Sequence, residues 1–173
     1  ECEGLLMSKL ICLAGLPGSG KTTWAQNFIK DHPNFLYISP DSYYERINGD
    51  DLIRDHSFEI WMAMFRDVHT AELAGRDVLV DSDNLTYAQR NQWIEWFPSF
   101  DNHYLLFFDE PFNDCVKRMK QRRRKIPMET MRSKYDKWQN PLNKEKTNDW
   151  KEWDVICQIP FVEKKQKKDL EQN

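Results

Sequence analysis

Short apolar runs alternate with longer amphipathic segments along the chain. Five runs have the length of buried strands, and they occupy residues 9–14, 35–39, 77–81, 103–108 and 153–159. Between them lie segments with apolar residues at helical spacing, chiefly 23–30, 57–74, 86–97 and 128–138. Strands that alternate with helices in this way predict a single α/β domain with three layers and a parallel sheet.

The longest amphipathic segment, 57–74, predicts a helix that packs on the sheet. Its expected buried face consists of Phe58, Trp61, Met62, Phe65, Val68 and His69. His69 is expected to be a core residue rather than a ligand. Gly75 fits the C-terminal cap of this helix. The next helix is expected to open with a capping box formed by Thr86 and Gln89.

Composition limits the class of protein. The chain has 173 residues, of which 13% are aromatic, so it is long enough for a substantial core and too aromatic for a disordered chain. No apolar run reaches the roughly 20 residues that span a membrane. The net charge is −3, so any contact with nucleic acid needs a local basic patch.

The cysteines are scattered and include no C-x-x-C pair. This pattern predicts reduced thiols in a cytoplasmic protein, and it favours neither a zinc site nor a disulfide framework. The four residues are Cys2, Cys12, Cys115 and Cys157.

Residues 15–23 read Gly-Leu-Pro-Gly-Ser-Gly-Lys-Thr-Thr and match the phosphate-binding pattern G-x-x-x-x-G-K-[ST]. Its glycines let the backbone turn tightly and bring N–H groups to a polyphosphate. Lys21 is expected to face solvent and to meet the β- and γ-phosphates, while the Thr22 hydroxyl ligates Mg²⁺. A glycine-rich turn without a ligand is the alternative, but the strand before the motif and the helix after it favour an anion site. The motif therefore predicts ATP and Mg²⁺ as cofactors.

Acidic residues follow two strands on the same side of this motif. Asp41 comes after the second strand, at the edge where open α/β sheets bind ligands, so it is a candidate base. Helix capping is the alternative, because Ser42 and Glu45 have the spacing of a capping box. After the third strand, Asp81 is the first choice for a Walker B acid that reaches Mg²⁺, and Asp83 is the second. Turn formation would explain the same residue types.

Asp109 and Glu110 end the fourth strand and also fit a Walker B acid. Pro111 follows them at a plausible first helical position. Asp109 and Glu110 are therefore predicted more simply to be acids near a helix N-terminus.

Seven of the ten residues 116–125 are basic, and no acid balances them. Residues 126–127, Ile-Pro, break the predicted basic helix, and a second helix follows at 128–138. A basic helix, a break and a returning helix predict a lid over a polyphosphate, at about 116–135. A solvated charged face is the alternative interpretation.

Taken in order, these segments resemble the P-loop polynucleotide kinases, in particular the 5′-kinase domain of phage polynucleotide kinase-phosphatases. The resemblance covers about Lys9 to Trp138. It rests on Pro17–Ala25, Asp41–Tyr43, Asp83 to Arg90, Lys117 to Arg122, Ile126–Pro127 and Met131–Tyr135. It implies a three-layer P-loop NTPase fold with a five-stranded parallel sheet in the adenylate-kinase-like order 2-3-1-4-5. The expected divisions are a leader at 1–8, a kinase domain at 9–160 and a charged, frayed tail at 161–173.

The resemblance implies an ATP-dependent kinase that transfers the γ-phosphate to an acceptor hydroxyl, with the 5′-hydroxyl of a polynucleotide as the preferred acceptor. The implied catalytic residues are Lys21, Asp41 as general base, Arg118 and Arg122. The implied phosphate-binding residues are Gly15, Gly18, Ser19, Gly20, Lys21, Thr22, Thr23, Arg118, Arg122 and Arg123. The candidate acceptor-binding residues are Asp41, Tyr43, Tyr44, Arg46, Asp83 and Arg90. The candidate metal ligands are Thr22 and Asp81.

The sequence departs from the family at one position, because Tyr44 stands where the family has an acceptor-side arginine, and Arg46 follows two residues later. A small-molecule kinase for a nucleoside or a sugar would share the P-loop and the lid, and Tyr43, Tyr44 and Trp61 could stack a base in either case. A nucleotide-dependent binding module is a further alternative. It would leave Asp41 and the lid arginines unused, and the chain lacks the N-K-x-D guanine motif.

Overall fold

The computed structural model describes residues 7–161, and their five strands form one parallel sheet. The strands are β1 (Lys9–Gly15), β2 (Leu36–Ile38), β3 (Val78–Val80), β4 (Asn102–Phe108) and β5 (Val155–Gln158). They lie in the order β2-β3-β1-β4-β5, and every neighbouring pair is parallel. The predicted fold class and strand order are confirmed.

Helices connect the strands and cover the sheet. They are α1 (Lys21–Asp31), α2 (Pro40–Asn48), α3 (Ser57–Leu73), α4 (Tyr87–Trp96), α5 (Phe112–Lys120), α6 (Met128–Lys137) and α7 (Asp149–Glu152). In the parallel register Cys12 of β1 lies opposite Val80 of β3, and Gly15 lies opposite Phe108 of β4. The loops that follow these three strands therefore leave the sheet at one edge, where ligands of open α/β sheets bind.

Successive residues of β1 point into two different cores. Leu10 packs in the cluster that contains Met64 of α3 and Trp93 of α4. Ile11, one residue later, packs in the cluster that contains Ala25 of α1. Because helices cover both faces of the sheet, its central strands β1 and β3 are largely apolar, as is usual in parallel sheets, whereas the edge strand β5 is mostly exposed.

Helix α3 packs on the sheet with a different face from the one predicted. Its buried residues include Ile60, Met64 and Val68, whereas Phe58 and Met62 are exposed. The prediction failed because apolar residues occur on several faces of this helix, so spacing alone does not single out the core face. The expectation of a core histidine is also wrong, because the His69 side chain is exposed and contacts the Glu72 carboxylate.

The basic segment is helical over a shorter stretch than predicted. Helix α5 ends at Lys120, and residues 121–127 form turns and bends before α6 begins at Met128. Four consecutive cations, 122–125, repel one another within a single helical turn, and Pro127 cannot continue a helix. Arg122 and Arg123 therefore lie on a connecting segment and not on a helix.

One predicted capping box is confirmed and the other is wrong. Thr86 accepts a hydrogen bond from the Gln89 backbone N–H, and the Gln89 side chain accepts one from the Thr86 N–H. Helix α2 instead begins at Pro40, so Ser42 lies inside the helix, where its hydroxyl donates to the Ser39 carbonyl. Pro at the first helical position sets this earlier start.

Two of the predicted divisions lie almost entirely outside the described residues. The described part of the leader at 1–8 is Met7 and Ser8, and the described part of the tail at 161–173 is Phe161 alone. Within residues 7–161 no helix has both the length and the apolar character that crossing a membrane requires.

Candidate functional site

The P-loop connects β1 to α1 at the ligand edge of the sheet. Gly18 has φ +83°, and a Cβ there would collide with the backbone carbonyl of Cys115 on α5, so only glycine fits this close approach. Gly20 precedes α1 with φ +102°, and no side chain caps the helix. The first N–H groups of α1 are thus left for an anion.

Lys21 lies inside the loop rather than in solvent, which corrects the sequence-based expectation. Its ammonium group donates to the Gly15 carbonyl at 2.6 Å and the Leu16 carbonyl at 2.9 Å, and it lies 3.2 Å from the Asp83 carboxylate. Only 7% of its side chain is exposed. Lys21 therefore holds the loop in shape while it presents a charge to the cavity beside it.

Asp81 follows β3 and lies against the start of α1. Its carboxylate accepts a hydrogen bond from the Tyr37 hydroxyl at 2.7 Å, and the nearby Thr22 hydroxyl acts to lower its pKa. Burial raises the pKa of Asp81, and attraction to Lys21 offsets this only in part. An oxygen pair from Thr22 and Asp81 matches the ligands that Mg²⁺ prefers.

Asp83 lies two residues further on and has a different environment. Its carboxylate contacts Lys21 and also accepts a hydrogen bond from the Lys134 ammonium group of α6 at 2.6 Å. Burial alone would raise the pKa of Asp83, but the two cations outweigh it and lower that pKa. Asp83 is thus neutralised by lysines, whereas Asp109 accepts hydrogen bonds from the Trp138 indole and the Asn140 amide. The geometry favours Asp81 among the candidate Walker B acids.

Asp41 lies in the first turn of α2 and faces the same cavity. One carboxylate oxygen accepts hydrogen bonds from Arg54 and from Arg124, both at 2.6 Å. Its side chain is 53% exposed. The helix is capped at position Ser39, and that residue makes no side-chain capping bond. Asp41 therefore contacts two arginine side chains, and the structure gives it no capping hydrogen bond.

The basic segment reaches the site from the opposite side. Arg118 of α5 donates to the Gly18 carbonyl at 3.2 Å and to Glu110 at 3.1 Å. Arg123 pairs with Asp50 and Asp51 of the α2–α3 connection, at 2.9 and 3.5 Å. With the Arg124–Asp41 pair, these contacts bring residues 121–127 across to α2. Residues 121–127 therefore contact α2 and the α2–α3 connection, and their role as a lid stays a prediction.

A cavity of about 780 Å³ joins these groups. Its lining includes the P-loop and the acids at the ends of the strands. Residues 122–124 of the basic segment also line it, as do aromatic side chains of α3 and α4. Its principal lining residues are Gly18, Lys21, Thr22, Asp41, Arg54, Trp61, Phe65, Asp81, Asp83, Trp96, Arg122, Arg123, Arg124 and Lys134.

Three predicted acceptor residues of α2 do not line this cavity. Tyr43 is buried and donates its hydroxyl hydrogen bond to Asp67. Tyr44 is buried in the same core. Arg46 lies over the Tyr43 ring and does not line the cavity. Their assignment to the acceptor site is corrected because α2 turns these side chains toward α3.

Arg90 is likewise a core residue and not an acceptor contact. It is completely buried, and its Nε atom donates to the Asp149 carboxylate at 2.9 Å. Its other nitrogens donate to the carbonyls of Asn84 and Gln139, both at 2.9 Å. The guanidinium thus fastens α4 to the segment around α7.

Sequence reasoning missed several residues that the structure places at the cavity. Arg54 belongs to a polar loop and carried no recognisable pattern. Arg124 lay within the basic run and Lys134 within the second lid helix, but neither had been given a role. Trp96 ends α4 and had no distinguishing spacing. In the described range 7–161, no group of three or more His, Cys, Asp or Glu side chains is arranged to hold a metal ion.

Comparison with known proteins agrees with this geometry. A family model described as AAA domain, AAA_33, matches residues 10–142. The L-seryl-tRNA(Sec) kinase of Methanococcus maripaludis is 28% identical over 145 residues, which cover 78% of this chain and 54% of that protein. The chain therefore spans about half the length of that relative.

Solved structures share the fold. A chain of the Pnkp1/Rnl/Hen1 RNA repair complex has a TM-score of 0.70 at 23% identity, and the match covers 82% of this chain and 47% of that one. A gluconokinase from Sinorhizobium meliloti has a TM-score of 0.58 at 14% identity, covering 91% and 85% respectively. The predicted resemblance to P-loop kinases is confirmed at the level of family and fold. The chain belongs to the AAA_33 family of AAA domains, and its sheet and phosphate-binding loop are those of a P-loop kinase.

Proposed function

We propose that the protein is an ATP-dependent kinase that transfers the γ-phosphate of ATP to the 5′-hydroxyl of a polynucleotide. One observation carries the proposal: a P-loop lysine, an exposed aspartate and the lid arginines line a single cavity. A switch or a binding module needs the P-loop but has no use for an acid on the far side of the phosphates. Membership of a family with kinase relatives supports the same conclusion.

The phosphates of ATP would lie on the N–H groups at the start of α1 and on Lys21. Arg118, Arg122 and Arg123 would supply further positive charge from the lid. Thr22 and Asp81 would hold Mg²⁺, which neutralises phosphate charge when bound. Phosphoryl transfer depends mainly on positioning and on charge stabilisation, and this set of groups provides both.

Asp41 would act as the general base in this mechanism. The acceptor hydroxyl would attack the γ-phosphorus in line and its proton would pass to the Asp41 carboxylate. The bond from the γ-phosphorus to the β,γ-bridging oxygen would break, and ADP would leave. Arg54 and Arg124 now share one oxygen of that carboxylate. Both guanidinium groups also face the cavity, so an incoming phosphate can draw them away and leave Asp41 free for the hydroxyl.

Two of the relatives carry RNA in their names, which supports a nucleic acid as the acceptor. A second candidate is a small hydroxyl compound. The match to the gluconokinase favours this second candidate, because this chain covers 85% of the gluconokinase but only 47% of the RNA-repair chain.

The test is transfer of label from γ-labelled ATP to a panel of acceptors. The panel contains 5′-hydroxyl DNA, 5′-hydroxyl RNA, nucleosides and sugars. We expect label on the 5′-hydroxyl oligonucleotides and none on oligonucleotides that already carry a 5′-phosphate. Label on a sugar alone would replace the acceptor, and ATP binding without transfer to any hydroxyl compound would reject the kinase.

A further inference from the structure

Three aromatic side chains form an aromatic wall in the lining of the cavity. It is formed by Trp61 and Phe65 of α3 and by Trp96 of α4. Phe65 packs edge-on against Trp96 with ring centroids 4.4 Å apart, and Trp61 lies 6.3 Å from Phe65. We propose that this wall stacks the nucleobase of the acceptor and thereby selects a nucleotide-bearing substrate, an inference that rests on the proposed kinase function.

The two tryptophans at the rim are unusually exposed for their size. Trp61 is 38% exposed and Trp96 is 45% exposed, whereas Trp93, one turn earlier in α4, is 3% exposed. Large aromatic side chains contribute most to stability when they are buried, so packing of the fold alone does not explain the two rim positions. Aromatic rings that line a cavity beside convergent polar groups are typical of ligand sites.

The aromatic wall packs against the buried core. Phe65 stacks on Trp93 and on Phe97, with centroid distances of 5.9 and 5.7 Å, and both of these residues belong to the buried core. The rings at the rim therefore rest on a fixed support. A preformed aromatic surface binds a flat ligand without the entropic cost of first ordering the side chains.

The polar groups around the wall suit a base better than a sugar. The Gln89 carbonyl oxygen is already occupied by the N–H groups of Leu85 and Thr86 in the capping box. Asn84 and Gln92 also line the cavity, and the Asn84 amide already donates to the Leu13 carbonyl and accepts from the Trp93 indole. A sugar would leave several hydroxyls without partners here, which is costly, whereas a base presents a π-face to the rings and one edge to an amide.

The position of the wall relative to the charged groups also fits a nucleotide. Arg54 lines the cavity beside Asp41 and stacks on the Tyr44 ring, with 4.2 Å between its Cζ and the ring centroid. A guanidinium that contacts the acid and lines the same cavity as the aromatic wall can meet the phosphate that joins the acceptor nucleotide to the next one. Aromatic stacking next to a backbone cation is how single strands are commonly bound.

Binding of two fluorescent single-stranded oligonucleotides tests the inference without relying on turnover. Both carry a 5′-hydroxyl, and one lacks the base of its 5′-terminal nucleotide. We expect the wild-type protein to bind the abasic strand about 5- to 150-fold more weakly, because stacking of one base is worth about 1–3 kcal/mol. Trp61→Ala and Trp96→Ala should each reduce this ratio, and the double variant should bring it close to one.

Conservative variants and a matched control separate the loss of a stacking ring from a general effect of removing a tryptophan. Trp61→Phe and Trp96→Phe retain a ring and should keep most of the discrimination. Trp150→Ala removes a tryptophan of α7 that is 44% exposed and does not line the cavity, so the ratio should stay at the wild-type value. Thermal melts confirm that each variant is folded.

The outcomes separate the inference from the kinase proposal. Equal wild-type affinity for the two strands, or an undiminished ratio in the folded double alanine variant, would overturn the aromatic site. Transfer of phosphate to a sugar by a protein that binds neither strand would overturn the inference and leave the kinase intact. Discrimination that depends on Trp61 and Trp96 but is not followed by transfer would support the stacking site and reject the kinase.

Discussion

Two clusters of arginine and aspartate stand at different depths in this fold. In the first, Arg90 and Asp149 are both completely buried, and the guanidinium also donates to two backbone carbonyls. In the second, Arg54 and Arg124 share one oxygen of Asp41. Each arginine side chain is 34% exposed, and the Asp41 side chain is 53% exposed. The residue types are the same, but burial gives the two clusters different consequences.

A buried charge that loses its partner has no water to replace it, so the first cluster can only be structural. An exposed pair exchanges partners at little cost, so the second cluster is free to respond to a ligand. The Lys21–Asp83–Lys134 group lies between these extremes, since Lys21 is almost buried yet faces the cavity. Depth, and not residue type, therefore separates an ion pair that supports the fold from one that can exchange partners.

The largest effect on activity is expected in the Lys21–Asp83–Lys134 group, which has intermediate burial. Lys21→Ala should lower phosphoryl transfer by roughly 10³-fold or more, since a cation on the transferring phosphate is worth about 10³–10⁵ in related reactions. The circular dichroism spectrum should stay unchanged, because Lys134 still neutralises Asp83. Lys30→Ala, which removes an exposed lysine from the end of α1, is the matched control. Normal turnover in folded Lys21→Ala would remove the P-loop from the mechanism.

The next effect concerns stability alone. Arg90→Met should lower the free energy of unfolding by about 3–5 kcal/mol, because Asp149 is left buried without a counter-charge. Urea unfolding measures the loss, and the double variant Arg90→Met/Asp149→Leu should recover part of it. If Arg90→Met is as stable as the wild-type protein but weakens acceptor binding, Arg90 belongs to the acceptor site as the sequence had suggested.

A smaller effect is expected in the lid. Arg122→Ala should reduce kcat roughly tenfold, which is about 1.4 kcal/mol, while the affinity for ATP changes less. The reason is that a lid arginine meets the phosphates fully only in the closed state, and neighbouring arginines replace part of its charge. Steady-state kinetics with an ATP titration separate the two quantities. An unchanged kcat with lower thermal stability would make the basic run a structural surface.

The smallest effect is predicted for the stability of the exposed cluster. Asp41→Asn should change the free energy of unfolding by less than about 1 kcal/mol, since exposed ion pairs contribute little. Urea unfolding of this variant beside Arg90→Met compares the two clusters directly. A loss as large as that of Arg90→Met would mean that the Asp41 contacts hold the fold together.

The sequence was most informative for features that are formed by residues close together in the chain. The P-loop, the strand before it and the helix after it were found because nine consecutive residues define them, and the alternation of strands and helices was enough for the sheet. Partners that are distant in sequence gave no such pattern. Arg90 meets Asp149 across 59 positions, and Asp41 meets Arg124 across 83. Helix α3 was misjudged because its apolar residues do not mark a single face.

The central claim is that Asp41 is the base of a kinase, and Asp41→Asn tests it most directly. Asn keeps the shape of the side chain but cannot accept the proton. The account predicts that kcat for the labelled acceptor falls by roughly 10²–10⁴-fold, with Mg²⁺-ATP affinity close to that of the wild-type protein when both are measured on one sample. Retained kcat would leave Asp41 as a partner of Arg54 and Arg124 only, and a parallel loss of ATP affinity would place it on the metal instead.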